Sequence, residues 1–309
     1  MAMDTNSPSP VPAAGDLRGR FLLPAAGVRG VYVRLAGSWR ELLSHAAYPS
    51  GATALLGEAV AAAALFTSHV KVDGRLSVQL RASGPLRSLF AECTAAGTVR
   101  GIARLEDGAD APRAPSQLGE DALLAVTVEN PGLDPREPLR YQSLVALGGA
   151  ESLAEAFEDY FRQSEQLPTR LLLAADGEHA AGLMLQKLPG EEGDADAWNR
   201  VGALFETLGE AELLATPPRL LVHRLFHEED PQLLEEHAVA FGCSCSVERV
   251  EGMLRSLGEE EFRAAAAATG QVDVRCEFCG REYHFPLDRI GVLFGSPAQP
   301  NAPAPERLQ

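Results

Sequence analysis

Four of the five cysteines in this 309-residue chain fall within its last seventy residues, and they form two close pairs. Cys243 and Cys245 are separated by one residue, and Cys276 and Cys279 are separated by two. Thirty residues lie between the pairs, so one compact fold can bring the four sulfurs together. Four thiolates in this arrangement suit a tetrahedral Zn²⁺ ion. The pattern therefore predicts one zinc ion per chain, bound by all four cysteines.

Three interpretations of the four cysteines remain open on the residues alone. A purely structural zinc site is the general case. A framework of two disulfides needs an oxidising compartment, but the N-terminus has neither the basic region nor the apolar region of a secretory signal, and we expect a cytoplasmic protein. The third interpretation is a redox switch, in which oxidation converts the zinc ligands into disulfides that no longer hold the metal.

Composition argues against several other kinds of partner. Lys and Arg total 27 against 43 Asp and Glu, and the net charge of −16 repels nucleic-acid phosphates. The most apolar stretch, Ala59–Phe66, is too short to span a bilayer, so no membrane association is expected. No P-loop, dinucleotide-binding or Ser-His-Asp signature stands out, and we expect neither nucleotide binding nor enzymatic turnover.

Residues 17–189 are predicted to form an α+β core domain. Alternating or β-rich runs predict strands, and Asp73-Gly74 and Asp176-Gly177 predict hairpins between them. Helices are predicted over Ser50–Phe66 and from Ser152 onward, where Glu155 completes a capping box. The predicted strands are Arg29–Leu35, Arg75–Ser83, Thr98–Leu105, Leu123–Glu129, Gln142–Leu147, Arg170–Ala175 and Ala180–Gln186.

Residues 190–242 are predicted to form an acidic helical linker. Trp198, Leu204, Phe205 and Leu208 recur at helical spacing and mark one apolar face. Between residues 190 and 236 there are twelve acidic and three basic residues. Short helices are marginal unless such a face is packed, so the linker is either an ordinary helical subdomain or a detachable element.

Residues 243–295 are predicted to form a small zinc-binding domain of two helices and one hairpin that carries Cys276 and Cys279. His237 and His284 lie near the cysteines in sequence, but with four thiolates available we interpret both as surface or packing residues. Cys93 is interpreted as a buried small hydrophobe. The ends, 1–16 and 296–309, are rich in proline and small residues and are predicted to be disordered.

Long segments of the chain, in addition to the cysteines, resemble the 33-kDa heat-shock chaperonin family, the redox-regulated holdases of bacteria. The resemblance covers roughly residues 18–294. The segments that carry it are CSCSVERVEGMLRSLGEEE (243–261), CEFCGREY (276–283), YFRQSEQLPTRLLLAA (160–175), GLMLQKLPG (182–190), LFHEED (225–230), LLGEAVAAAALF near residue 60 and the strand GRLSVQL.

The resemblance implies an ATP-independent chaperone that is inactive while reduced and zinc-loaded. Oxidation, often with heat stress, would form the disulfides Cys243–Cys245 and Cys276–Cys279 and release zinc. The zinc domain and linker would then unfold, and the active, typically dimeric form would bind unfolding client proteins. Under this interpretation Trp198, Leu204, Phe205 and Leu208 are candidate client-binding or linker-packing surface.

Two other functions remain as alternatives. A zinc-ribbon protein that binds nucleic acid or the ribosome would use the CxxC hairpin, but residues 243–295 hold nine acidic and six basic residues and lack a basic footprint. A thiol oxidoreductase would need its CxxC at a helix N-terminus, whereas here the motif lies in a predicted hairpin.

Overall fold

The computed structural model describes residues 15–70, 72–134, 137–189 and 196–294. These residues form two compact units, and the division falls between Cys243 and Ser244. Most of the predicted N-terminal extension (1–14), the predicted tail (296–309) and the start of the linker (190–195) lie outside the described residues.

The first unit contains eleven strands and six α-helices among its described residues. The strands are β1 (Leu17–Leu23), β2 (Val28–Leu35), β3 (Arg75–Arg81), β4 (Leu86–Thr94), β5 (Thr98–Leu105), β6 (Leu123–Asn130), β7 (Leu139–Val145), β8 (Thr169–Ala175), β9 (Ala180–Lys187), β10 (Gln232–Ala238) and β11 (Ala240–Phe241). The helices are α1 (Gly37–Leu43), α2 (Ser50–His69), α3 (Leu153–Tyr160), α4 (Ala197–Glu206), α5 (Glu210–Ala215) and α6 (Pro218–Phe226).

The strands form two sheets, in the orders β10-β1-β2-β9-β8 and β11-β5-β4-β3-β6-β7. Neighbouring strands are antiparallel except for the short parallel pair β11–β5, so the predicted α+β class is confirmed. Asp176-Gly177 joins β8 to β9 as predicted. The hairpin predicted at Asp73-Gly74 is wrong, because this turn joins α2 to β3 and its two amides donate to Asn130 Oδ1 at 2.9 and 3.2 Å.

Helix α2 lies between the two sheets and contacts strands of both. Sixteen of its 20 residues are buried, as expected for a helix that is apolar on all sides. By length and composition it could cross a membrane, so the prediction based on Ala59–Phe66 understated the apolar segment. However, 94% of its most apolar 18-residue segment is buried inside the protein. Packing in the core therefore explains why this helix is so apolar.

Glu58 is the one charged residue among the buried residues of α2. Its Oε1 lies 2.9 Å from Nη1 of Arg113, whose Nη2 lies 3.5 Å from Oε2 of Glu210 on α5. Burial raises the pKa of Glu58 to about 7, because the charged form is poorly solvated and Arg113 offsets only part of that cost. The core helix therefore carries a carboxyl group that titrates near neutral pH.

We expect the free energy of unfolding to fall as the pH rises from about 4.5 to about 7, because over this range the folded chain keeps a proton on Glu58 that the unfolded chain has lost. Glu58→Gln should remove this pH-dependent loss of stability, which is on the order of 3 kcal/mol above pH 7. Urea unfolding at about pH 5 and about pH 8 measures it. Glu178→Gln, which alters an exposed carboxylate paired with Arg40, is the matched control. An unchanged pH dependence in Glu58→Gln would contradict the assignment.

The second unit is a small assembly of three helices and one hairpin. Its elements are α7 (Val247–Leu257), α8 (Glu259–Ala266), β12 (Gln271–Arg275), β13 (Glu282–Pro286) and α9 (Ile290–Phe294). Its core consists of nine buried side chains: Val250, Leu254, Phe262, Ala266, Val272, Tyr283, Phe285, Ile290 and Leu293. The two predicted helices and the predicted hairpin are present, and α9 is an additional turn of helix. A core of this size supports little stability by itself.

Candidate metal centre

The turn between β12 and β13 carries the CxxC pair. The amide of Cys276 donates to the carbonyl of Arg281, and the amide of Gly280 donates to the carbonyl of Cys276, both at 2.8 Å. Gly280 has a φ of 67°, which a glycine adopts without the steric cost that a side chain would bring. The tight turn therefore holds Cys276 and Cys279 on one side of the hairpin end.

The CxC pair lies between the end of β11 and the start of α7. Ser246 caps α7, with its Oγ accepting from the amide of Arg249 at 3.3 Å. The Arg249 side chain in turn donates from Nη1 to the carbonyl of Ser244 at 2.8 Å. The backbone around Cys245 is therefore held by the helix that follows it.

The four sulfurs of Cys243, Cys245, Cys276 and Cys279 all lie within 4.8 Å of one another. Cys245 Sγ and Cys279 Sγ lie 3.4 Å apart, and all four cysteines are half-buried and outside any disulfide. Thiolates placed 2.3 Å from a tetrahedral Zn²⁺ ion are about 3.8 Å apart. The cluster therefore has the size and the donor chemistry that one tetrahedral metal ion needs, and the role of these cysteines as zinc ligands stays a prediction.

Positive charge lies beside the sulfur cluster. Its neighbour Tyr283 and the charges of Cys245 and Cys279 raise the pKa of Arg281, so this guanidinium lies near the sulfurs. Burial raises the pKa of Tyr283 to about 12, so its phenol stays protonated near neutral pH. Arg281 thus offsets part of the negative charge that four thiolates place in one small volume.

The other candidate residues lie apart from the cluster. His237 Nε2 lies 3.6 Å from an oxygen of Glu235, and His284 Nδ1 lies 2.6 Å from Asp273 Oδ1, both at exposed positions. Cys93 is fully buried in β4, and burial raises the pKa of its thiol to about 11. A protonated, inaccessible thiol is a poor nucleophile, in agreement with its interpretation as a small core residue.

The predicted linker packs its apolar face against the five-stranded sheet. Phe205 and Leu208 are buried, and Trp198 and Leu204 are half-buried against the same cluster of side chains. Sheet residues such as Phe21 and Val28 form the other side of this contact and are fully buried. The four predicted linker residues therefore cover an apolar sheet face within the first unit.

Sequence reasoning missed several groups that hold the linker in place. Phe226 of α6 is fully buried and stacks on Phe21 with ring centroids 5.9 Å apart. Strand β10 pairs with β1, and its Glu236 accepts a hydrogen bond of 2.5 Å from the Tyr32 hydroxyl while Arg219 pairs with the same carboxylate. The helical pattern over Leu220–Phe226 includes Phe226, but sequence reasoning did not place this residue among those that cover the sheet. Strand β10 gave no signal, because its residues do not alternate between apolar and polar.

Comparison with known proteins identifies this arrangement. The family model described as Hsp33 protein matches residues 16–286. A protein of Chromobacterium violaceum named 33 kDa chaperonin is 39% identical over 275 residues, which are 89% of this chain and 92% of that protein. A protein of Ectopseudomonas mendocina with the same name is 41% identical over 301 residues, 94% of this chain and 99% of that one. The crystal structure of the 33 kDa chaperonin of Thermotoga maritima shares the fold, with a TM-score of 0.72, 21% identity, and coverage of 90% of this chain and 97% of that one.

Proposed function

The chain belongs to the Hsp33 protein family of chaperones, and from this premise we propose that it is an ATP-independent holdase whose activity is switched on by oxidation of its four clustered cysteines. The family is one of chaperones rather than enzymes, and we propose no catalytic turnover. The clients are unfolding proteins, which the oxidised protein binds and keeps from aggregating. The proposed location is the cytoplasm.

The proposal rests on the close approach of the four sulfurs. Zinc, when bound, keeps the four sulfurs as thiolates and stabilises the small fold around them, contributing roughly 10–16 kcal/mol in peptides of this kind. Cys243, Cys245, Cys276 and Cys279 would be its ligands. Thiolates are the reactive form towards peroxide, and partial exposure leaves them accessible. The same four atoms therefore serve as a stabilising site and as an oxidant sensor.

The oxidation step balances with a hydroperoxide as oxidant. Each thiolate pair gives two electrons to one hydrogen peroxide molecule, one S–S bond forms, the O–O bond breaks, and two protons are taken up to release two waters. The proposed pairs are Cys243–Cys245 and Cys276–Cys279. A disulfide sulfur is a poor metal ligand, so the ligand set is lost and the second unit loses its main source of stability.

Unfolding of the second unit would be transmitted to the linker along the backbone that joins Phe241 to Cys243. The stretch from 190 to 236 carries nine net negative charges, which repel one another and keep the released segment extended and soluble. Its departure would uncover the apolar sheet face that Phe205 and Leu208 cover. We propose this face and the linker residues as client-binding surface and a dimer as the active form, without a role for nucleotide or nucleic acid.

Oxidation of the purified, zinc-loaded protein tests the proposal. Peroxide at mild heat should release about one zinc ion per chain, remove four free thiols and switch on suppression of client aggregation. Colorimetric zinc release, thiol titration and light scattering of an unfolding client follow the three events. Cys93→Ala is the control, because it removes a thiol outside the cluster and should respond like the wild type. The proposed switch would be overturned if the reduced protein suppressed client aggregation as well as the oxidised protein does, or if the protein became active without releasing zinc.

A further inference from the structure

A cavity of about 470 Å³ lies in the first unit, beside the end of α2 and the edge strand β7. Its walls are mostly apolar and aromatic, and its volume is in the range of small-molecule sites. Tyr141 stands at its margin and is 66% exposed, so the cavity is accessible from solvent. Its apolar lining residues include Phe66, Leu76, Val126, Val128, Phe157 and Phe161.

One wall of this cavity carries a positive charge without a counterion. Arg29 on β2 is half-buried, and its Nη2 donates to Gln186 Oε1 at 2.7 Å and to His69 Nε2 at 3.0 Å. Both acceptors are neutral, and no carboxylate in the described part of the chain pairs with this guanidinium. Burial lowers the pKa of Arg29, which reflects the cost of holding its charge there. A charge held away from water in this way is stabilised by an anion.

The contact with Arg29 also decides which nitrogen of His69 carries the proton. A guanidinium only donates, so Nε2 of His69 is the acceptor and Nδ1 is the N–H donor. Burial and the neighbouring Arg29 lower the pKa of His69 to about 3, so the ring is neutral near neutral pH. His69 Nδ1 and Arg29 Nε are both buried without an acceptor in the described residues. Two buried N–H groups, on residues that line the cavity, thus lack the hydrogen-bond acceptor that buried donors require.

We propose that this cavity binds a small apolar carboxylate, whose charged end pairs with Arg29 and His69 and whose apolar body lies among the aromatic side chains. The carboxylate neutralises the unpaired charge of Arg29 and supplies oxygen atoms that accept hydrogen bonds from N–H donors. Glu165 also lines the cavity, accepting a hydrogen bond from the Tyr160 hydroxyl at 2.9 Å. Its negative charge disfavours a second negative charge on the ligand, so the site takes a monoanion.

Isothermal titration calorimetry on the reduced, zinc-loaded full-length protein tests this site, with decanoate as the probe and 1-decanol as its neutral counterpart. We expect one saturable decanoate site per chain, with affinity about tenfold or more above that of decanol. Arg29→Gln should abolish this preference, and Arg29→Lys should retain part of it. The matched control is Arg20→Gln, which removes an arginine on the neighbouring strand that is paired with Glu235 and does not line the cavity.

A second variant separates loss of charge from loss of fold. Val126→Phe fills the cavity from β6 and should abolish decanoate binding while Arg29 is unchanged; circular dichroism confirms that each variant is folded. Equal affinities for decanoate and decanol would overturn the proposal, as would wild-type decanoate binding in either Arg29→Gln or Val126→Phe. If Arg29→Gln fails to fold, the decanoate-to-decanol ratio in the wild type and the Val126→Phe result decide the matter.

Discussion

Replacing Cys276 with serine should remove zinc from the protein and unfold the second unit while leaving the first unit folded. Serine keeps the size of the side chain but supplies a hydroxyl that is a poor zinc ligand at neutral pH. The nine buried side chains of this unit form too small a core to fold alone. Zinc binding worth roughly 10–16 kcal/mol compares with a total domain stability of about 5–15 kcal/mol, so its loss exceeds what the unit can tolerate.

Zinc quantitation and amide hydrogen exchange measure this outcome directly. In Cys276→Ser we expect close to no zinc per chain and rapid exchange throughout α7, α8, β12 and β13. Cys93→Ala is the matched control, because it also removes one thiol, from a fully buried position in β4. It should keep one zinc ion and normal exchange in the second unit. Full zinc occupancy in Cys276→Ser would show that this sulfur is not a ligand.

Truncating Phe226 to alanine should make the reduced, zinc-loaded protein active as a chaperone. Phe226 is fully buried where α6 packs on the five-stranded sheet, and its ring stacks on Phe21. Loss of a buried phenylalanine ring costs about 3–5 kcal/mol, and here the cost falls on the contact between linker and sheet. The variant should therefore expose the sheet face without any oxidation of the cysteines.

Phe157→Ala separates exposure of this face from general destabilisation. Phe157 is also fully buried, but it lies on α3 and meets Phe66 edge to face at 4.9 Å, away from the linker. Light scattering of an unfolding client, with both variants reduced and zinc-loaded at a temperature where both are folded, should show suppression by Phe226→Ala alone. Equal suppression by both variants, or by neither, would contradict a client-binding face under the linker.

Local patterns were sufficient where a segment's structure depends on its own residues. Ser246 caps α7, with its Oγ accepting a hydrogen bond from the amide of Arg249, as its side-chain chemistry allows. The CxxCG motif folds as the predicted hairpin turn, with Gly280 in the left-handed region. Helix α2 was recognised from its run of alanine and leucine, although it continues to His69, beyond the predicted end at Phe66.

Other segments are strands because of the strands that they pair with, and their own sequence does not predict them. Strand β10 has residues exposed on both faces, so its sequence carries no alternation, and it is a strand because β1 offers it an unpaired edge. Strands β1 and β4 were missed as well, since their burial does not follow a simple period of two. The linker stretch accordingly contains two strands and three helices, whereas the pattern predicted helical structure alone.

The sequence by itself determined the α+β class, the four cysteines and the acidity of the linker, because these depend on residue type and short spacing. Only the tertiary structure showed that the sulfurs lie within 4.8 Å of one another and that α4 to α6 cover a sheet face. It alone also placed Arg29 without a counterion beside an aromatic cavity. Each of these features joins residues far apart in the chain, and such distances are set by packing rather than by any local pattern.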